Sequence, residues 1–216
     1  MPSDLPPLSL SLLGAPVLRR EGEPVTGRAA YRRRIALLAV LAAARGRPVG
    51  RQRLMGLLWP EQSEEAARHS LSESLYLLRR ELGGVLAARG SDVVLDPAGV
   101  AVDLEAFERA LEEGRAEDAV RAYGGPFLDG FYVDGAPEFE RWAEGERDRL
   151  ARAFARVAEA LAEAAEDAGA PLRAAGWWRT LSGHDPYSSR IALRLASALA
   201  RGGEGAAALR HAEAHA

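Results

Sequence analysis

Cysteine and lysine are both missing from this chain of 216 residues. Without cysteine there is no disulfide, no thiolate metal site and no thiol nucleophile, which suits a reducing, cytoplasmic setting. Without lysine, all 28 basic residues are arginine; with the abundance of Ala, Gly and Leu, this reflects a GC-rich genome more than a function. No apolar run reaches the ~20 residues of a membrane-spanning helix, so no membrane partner is expected. Met1 to Pro7 lacks the basic and then apolar segments of a signal peptide. There is no Gly-rich phosphate loop and no nucleophile elbow, so catalysis finds no residue set to work with and an enzyme is not expected. The four histidines are scattered except for His211 and His215. That i, i+4 pair has no third ligand beside it, so neither a metal site nor a cofactor is expected.

The residues that are present describe a globular protein. Hydrophobic and charged residues make up 48% and 27% of the chain, and the length allows one large domain or two ordinary ones. The net charge of −3 conceals an asymmetry. From Met1 to Asp92, 14 arginines stand against nine acids, a net charge of +5; from Val93 to Ala216, 14 arginines stand against 22 acids, a net charge of −8. A basic half beside an acidic one points to nucleic-acid contact by the basic part.

Leu8 to Leu13 alternates polar and apolar residues as a half-buried strand does. Val17 to Arg20 resumes that pattern after Gly14-Ala15-Pro16, and Pro24 to Thr26 offers a third short strand after the turn Glu21-Gly22-Glu23. Three helices follow. Arg32 to Ala44 stops at Gly46 and Pro48, and Arg51 to Trp59 is closed by Pro60. A longer helix then opens at Ser63 as N-cap, with Ala66 where a capping box would need Glu. In it Ala67, Leu71, Leu75, Leu78 and Leu82 form one apolar stripe that ends at Gly83-Gly84. A hairpin is expected next, from Asp92 to Leu95 and from Val100 to Val102, joined by the type I turn Asp96-Pro97-Ala98-Gly99. Strands, three helices and a terminal hairpin in this order predict a winged helix, with the third helix as recognition helix and the hairpin as wing.

The second half reads as almost entirely helical. Gly114 and Ala119, Gly169 and Ala174, and Gly202 and Ala207 share one spacing, in which Gly ends a helix and Ala sits early in the next. The last two copies are separated by close to the 34 residues of a tetratricopeptide unit, with Pro186 where that repeat places its closing proline. Alanine suits these positions because two helices of a unit approach closely there. Between the first two copies, Gly124 to Pro137 is an irregular segment expected to dock Phe127, Phe131 and Tyr132 on the helices. The adjacent Trp177 and Trp178 are expected to pack between helices.

Two segments carry a family resemblance. RGRPVGRQRLMGLLWPEQSEEAARHSLSESLYLLRRELG, from Arg45 to Gly83, resembles the DNA-binding domain of the SARP-type antibiotic-pathway regulators. GGPFLDGFYVDGAPEFERWAEGERDRLARA, from Gly124 to Ala153, is similar to the opening of the bacterial transcriptional activator domain that follows it in that family. The resemblance implies a response-regulator-like winged helix fused to a tetratricopeptide domain, in a regulator that is often an activator. It also implies recognition of short direct repeats in double-stranded DNA and contact with RNA polymerase. The expected fold class is therefore mixed and mainly α. A winged-helix domain over residues 1–102 precedes an all-α, tetratricopeptide-like activator domain over residues 103–216. A homodimer is among the expected assemblies.

Registering Leu78 to Gly83 on the end of the family's recognition helix puts His69, Ser72, Glu73, Tyr76, Leu77 and Arg80 opposite the buried stripe. Arg68, His69 and Ser72 are expected to read base edges, and Arg79 and Arg80 to meet phosphates. Among further arginines, Arg32, Arg33 and Arg34 on the first helix, and Arg45, Arg47, Arg51 and Arg53 around the start of the second, are candidates for backbone contacts. Glu73 and Leu77 fit this face poorly, and the expected wing tip Asp96 to Gly99 carries no arginine. That leaves a second reading open, an interaction adaptor built on tetratricopeptide-type repeats with a degenerate winged helix. The alanine-rich end, Ala214-His215-Ala216, lacks a capping element, which predicts that the natural protein continues or pairs with another chain there.

Overall fold

The computed structural model describes residues 8–27 and 31–215. The expectation for Met1 to Pro7 lies outside the described residues, as does Ala216. The chain divides into two compact units, Met1–Arg109 with Ala122–Arg149 and Ala110–Arg121 with Leu150–Ala216. These units do not follow the expected border between residues 102 and 103, because residues 103–109 and 122–149 group with the N-terminal unit.

In the first unit, β1 (Leu8–Ser11) pairs antiparallel with β2 (Val17–Arg20), which pairs antiparallel with β3 (Glu23–Pro24). The alternation read from LSLS is real: Leu8 and Leu10 are buried while Ser9 and Ser11 are half-buried. Helix α1 (Arg32–Ala43) is buried on every face from Arg34 to Ala42, as a central helix without a polar stripe must be. A short strand β4 (Val49–Gly50) leads into α2 (Arg51–Leu58), then α3 (Glu64–Leu82). Ser63 caps α3 by accepting from the Ala66 amide at 3.3 Å.

The hairpin is the main correction to the sequence reading. The two strands that pair are β5 (Leu86–Arg89) and β6 (Asp92–Leu95), joined by Gly90-Ser91, with β4 on the other edge of β6. The second strand expected of the hairpin, Val100 to Val102, appears as β7 (Ala101–Val102) and instead lies parallel to β1, with Leu10 opposite Val102, completing the order β3-β2-β1-β7. The turn at Asp96 exists, with the Gly99 amide donating to the Asp96 carbonyl at 3.1 Å. A type I turn splays flanking strands, so it sends the chain away from β6 rather than back along it. Glycine is required at position 99 because a Cβ there would lie 2.6 Å from Cγ1 of Val85.

Helix α4 (Asp103–Glu112) follows β7 directly, then α5 (Ala116–Ala122) and the long α6 (Pro137–Asp167). The irregular segment between α5 and α6 docks as expected in part. Leu128 donates to the Leu12 carbonyl, and the Gly14 amide donates to Pro126. Phe127 is fully buried, edge-on to Trp142, and Phe131 meets Phe139. Tyr132 does not dock, since it stays 58% exposed.

In the second unit α7 (Pro171–His184) packs on α8 (Ser189–Arg201), and α8 on α9 (Gly205–Ala214). The same helix-ending turn occurs three times. The amides of Gly114, Gly169 and Gly203 donate to the carbonyls of Leu111, Glu166 and Ala200, and those of Arg115, Ala170 and Glu204 to Ala110, Ala165 and Leu199. The third copy is therefore Gly203 with Ala208, one residue later than the spacing Gly202 to Ala207 suggests. Only Gly203 of the glycine pair has a positive φ, of 86°. Gly202 serves a different need, because a Cβ there would lie 2.5 Å from Cδ2 of Leu172. Ala119, Ala174 and Ala208 are all buried, and Gly169 and Gly203 stand one repeat period of about 34 residues apart.

Candidate nucleic-acid interface

The stripe on α3 is buried as the spacing requires: Ala67, Leu71, Leu75, Leu78 and Leu82 are each at most 5% exposed. Leu77 joins them at 3%, so it is a core residue and not a misfit on the outer face. It follows Ser74, also buried, by one helical step of three, which widens the inward arc to that side. What remains outward is Arg68, His69, Ser72, Glu73, Tyr76 and Arg80. Tyr76, at 62% exposure, is the large aromatic of this surface.

The cations of α3 differ in how they are held. Arg68 pairs with Glu64 one turn back, both side chains more than 60% exposed. Arg80 pairs with Glu81 at 2.8 Å, and that hydrogen bond raises the guanidinium's pKa while it lowers that of the carboxyl. Exposed pairs of this kind contribute little to stability and are screened by salt. Arg79 departs from its expected role. It is half-buried, with Nε donating to the Leu86 carbonyl at 3.0 Å, so it ties α3 to β5. Glu73 is also less out of place than its sequence position suggests, because it lies 3.9 Å from the buried Arg34 guanidinium.

Arg32, Arg33 and Arg34 do not form the expected phosphate-facing cluster. Arg32 donates to the Tyr132 carbonyl at 3.0 Å and lies over the Phe131 and Tyr132 rings. Arg33 donates to Leu58 and Asp134 carbonyls at 3.0 and 2.8 Å. Arg34 lies 5.0 Å from the Tyr31 ring centroid. The start of α1 thus clamps the segment before α6 within the first unit. Arg33→Ala is expected to cost about 1–3 kcal/mol, since two carbonyls lose a charged donor. Thermal unfolding together with proteolysis at residues 124–137 tests this; an unchanged melt and cleavage pattern would show that the clamp carries no weight.

Around α2, Arg45 lies 3.6 Å from Glu108, and Arg47 donates to the Ala44 carbonyl. Arg51 is half-buried and Arg53 exposed, and among the described residues neither has an ion-pair partner. Arg47, Arg53, Trp142 and Glu146 are among the residues that line a cavity of about 480 Å³ beside the first turn of α2. The N-terminus of α2 is capped by Gly50, which offers no side-chain acceptor to its free amides. The real hairpin tip, Gly90-Ser91, follows Arg89 directly. The sequence reading missed it because LAAR carries little strand signal, whereas the aspartate-proline turn nearby carries much. Among the described residues no group of three His, Cys, Asp or Glu side chains is placed to hold a metal, and no helix is long and apolar enough to cross a membrane.

A three-helix winged unit whose third helix buries one stripe and exposes a polar face, continued by helical repeats, is the construction of a transcriptional regulator. The chain belongs to the bacterial transcriptional activator domain family, which matches residues 98–214. Its fold is similar to that of Mycobacterium tuberculosis EmbR, solved in complex with a low-affinity phosphopeptide, with 27% sequence identity and a TM-score of 0.63. The likeness covers 95% of this chain and 57% of that one, so the chain spans a little over half the length of the solved relative. Both findings support the SARP-type resemblance read from the two sequence segments. The family is one of transcriptional regulators, not of enzymes. No match was found among curated proteins.

Proposed function

We propose that this chain is a sequence-specific, DNA-binding transcriptional regulator, an activator, whose helical repeats carry contacts to RNA polymerase or other protein partners. The observation that carries the reading is the outward face of α3. His69, Ser72 and Tyr76 stand clear of the core, between Arg68 and Arg80, whose partners are exposed carboxylates on the same helix. Such a face offers donors and an aromatic ring, from Arg68 to Tyr76, to base edges in the major groove, with Arg80 placed for a phosphate. Arg51 and Arg53 add backbone contacts from the start of α2. Direct repeats in the DNA would seat two copies side by side, and a homodimer is one way to do so. The chain works in the cytoplasm on this reading.

Selection of bound fragments from random duplexes by the whole chain, followed by titration across salt, tests the proposal. Affinity should fall linearly in log–log form, with a slope close to −0.9 per phosphate contacted. The variant Arg68→Ala with His69→Ala should relax sequence preference, each lost base contact removing about 1–3 kcal/mol of discrimination. Arg80→Ala should weaken all sequences alike and flatten the salt slope by about one contact. Binding that is absent at low salt, or indifferent to salt, would overturn the reading in favour of a repeat-based adaptor. Equal losses on all sequences for both variants would overturn the division of roles.

A further inference from the structure

The helices α7 to α9 leave one groove whose charge runs against that of the half of the chain containing it. It has a volume of about 500 Å³. Leu195 and Leu199 of α8 form an apolar floor, both under 5% exposed, while Arg179 and Ser182 of α7 and Arg210 and His211 of α9 stand on its walls. Among the described residues no carboxylate side chain lines it, although residues 93–216 carry a net charge of −8.

The arginines of these helices fall into two groups. Arg173 pairs with Glu117, Arg190 with Glu159, and Arg194 with Glu163 and Glu166. Arg179 and Arg210 in the groove have no ion-pair partner among the described residues, and neither has Arg201, which does not line it. Nε2 of His211 is buried without a hydrogen-bond partner among the described residues. Burial lowers the pKa of His211, and the neighbouring His215 and Arg179 act in the same direction. A partly apolar groove with cations on two walls complements a chain that carries carboxylates beside an apolar side chain.

We propose that this groove docks an acidic peptide segment of a protein partner, its carboxylates on Arg179 and Arg210 and an apolar side chain on Leu195 and Leu199. The proposal deepens the reading that the helical repeats carry protein contacts and rests on it. It does not depend on how α3 treats DNA.

The test uses the whole chain and a labelled decapeptide of alternating Asp and Leu, with the matching Asn and Leu peptide as control. Fluorescence anisotropy should show binding of the acidic probe, weakened about tenfold or more in the Asn peptide and in Arg179→Ala with Arg210→Ala. Arg201→Ala should bind as the wild type does. Both groove arginines are exposed, so the double variant should keep the wild-type melting temperature and its DNA titration. That separates failure here from failure of the DNA-binding reading. Equal binding of the two peptides, or undiminished binding by the double variant, would overturn the proposal. So would displacement of the probe by inorganic phosphate at the same concentration, which would mark a site for a free anion. A dimer in sedimentation that the double variant abolishes would assign the groove to a second copy of this chain and overturn it as well.

Discussion

Trp178→Ala is expected to remove about 3–5 kcal/mol from the stability of the second unit, a large share of what a domain of this size possesses. Trp178 is fully buried and heads the largest side chains of the core. Its Nε1 donates to Oε1 of Glu166 at 2.8 Å, and Arg194 lies 4.9 Å from its ring centroid while pairing with the same Glu166 at 3.0 Å. Truncation therefore leaves a cavity and also takes a donor from a half-buried carboxylate that Arg194 alone then serves. Trp178→Phe separates the two effects, since it keeps an aromatic ring and loses the donor, and should cost about 1–2 kcal/mol. Urea unfolding followed by far-ultraviolet circular dichroism measures both. A loss for the alanine variant no larger than that for phenylalanine would show that the site collapses around the missing ring.

Asp103→Ala is expected to be the comparable lesion in the first unit. Asp103 is the first residue of α4, immediately after β7. Its carboxylate accepts from the Leu12 amide at 2.8 and 2.9 Å, from Leu13 at 3.0 Å and from its neighbour Leu104 at 2.7 Å. One side chain thus holds the end of β1 and caps α4, the helix that follows β7. Alanine would leave buried amides without acceptors, at about 1–3 kcal/mol each, for a total of roughly 3–5 kcal/mol. Burial raises the Asp103 carboxyl above its ordinary value, against the backbone amides that pull it down. A carboxyl raised in the folded state contributes stability below its unfolded value and loses it as pH rises through the folded one. The advantage of the wild type over Asp103→Asn should therefore narrow as pH rises above the ordinary aspartate value of about 4 in paired urea titrations. An advantage that widens as pH rises would mean that the backbone amides outweigh burial.

Much of this molecule is legible in its local pattern. The stripe from Ala67 to Leu82, the Ser63 cap, the aspartate-proline turn and the glycines that end the repeat helices all depend on residues within a few positions of one another. Their outcome is set by backbone geometry that a short segment carries with it. The glycine pair at 202 and 203 shows the limit of such reading. Spacing does not tell which of two adjacent glycines adopts the positive φ, and packing against Leu172 gives each a separate task.

The candidate interface was legible to the extent that one face of α3 is polar. Which side chains on that face stay available was not. Leu77 is drawn into the core, Arg79 is tied to β5, and Arg32 and Arg33 are occupied by carbonyls roughly a hundred residues further along the chain. Nothing in the sequence around an arginine states whether its guanidinium will meet a phosphate or a distant carbonyl.

The sequence alone determined the helices, the basic and acidic halves, and the family. Each of these is written in residue types and short spacings, and the underlying interactions are local or additive. Tertiary structure decided the partner of β7, the true wing at Gly90-Ser91, the buried fate of Leu77 and the uncompensated groove between α7 and α9. Those depend on which surfaces meet, and the cost of burying one polar group or charge is set by neighbours the local chain does not contain.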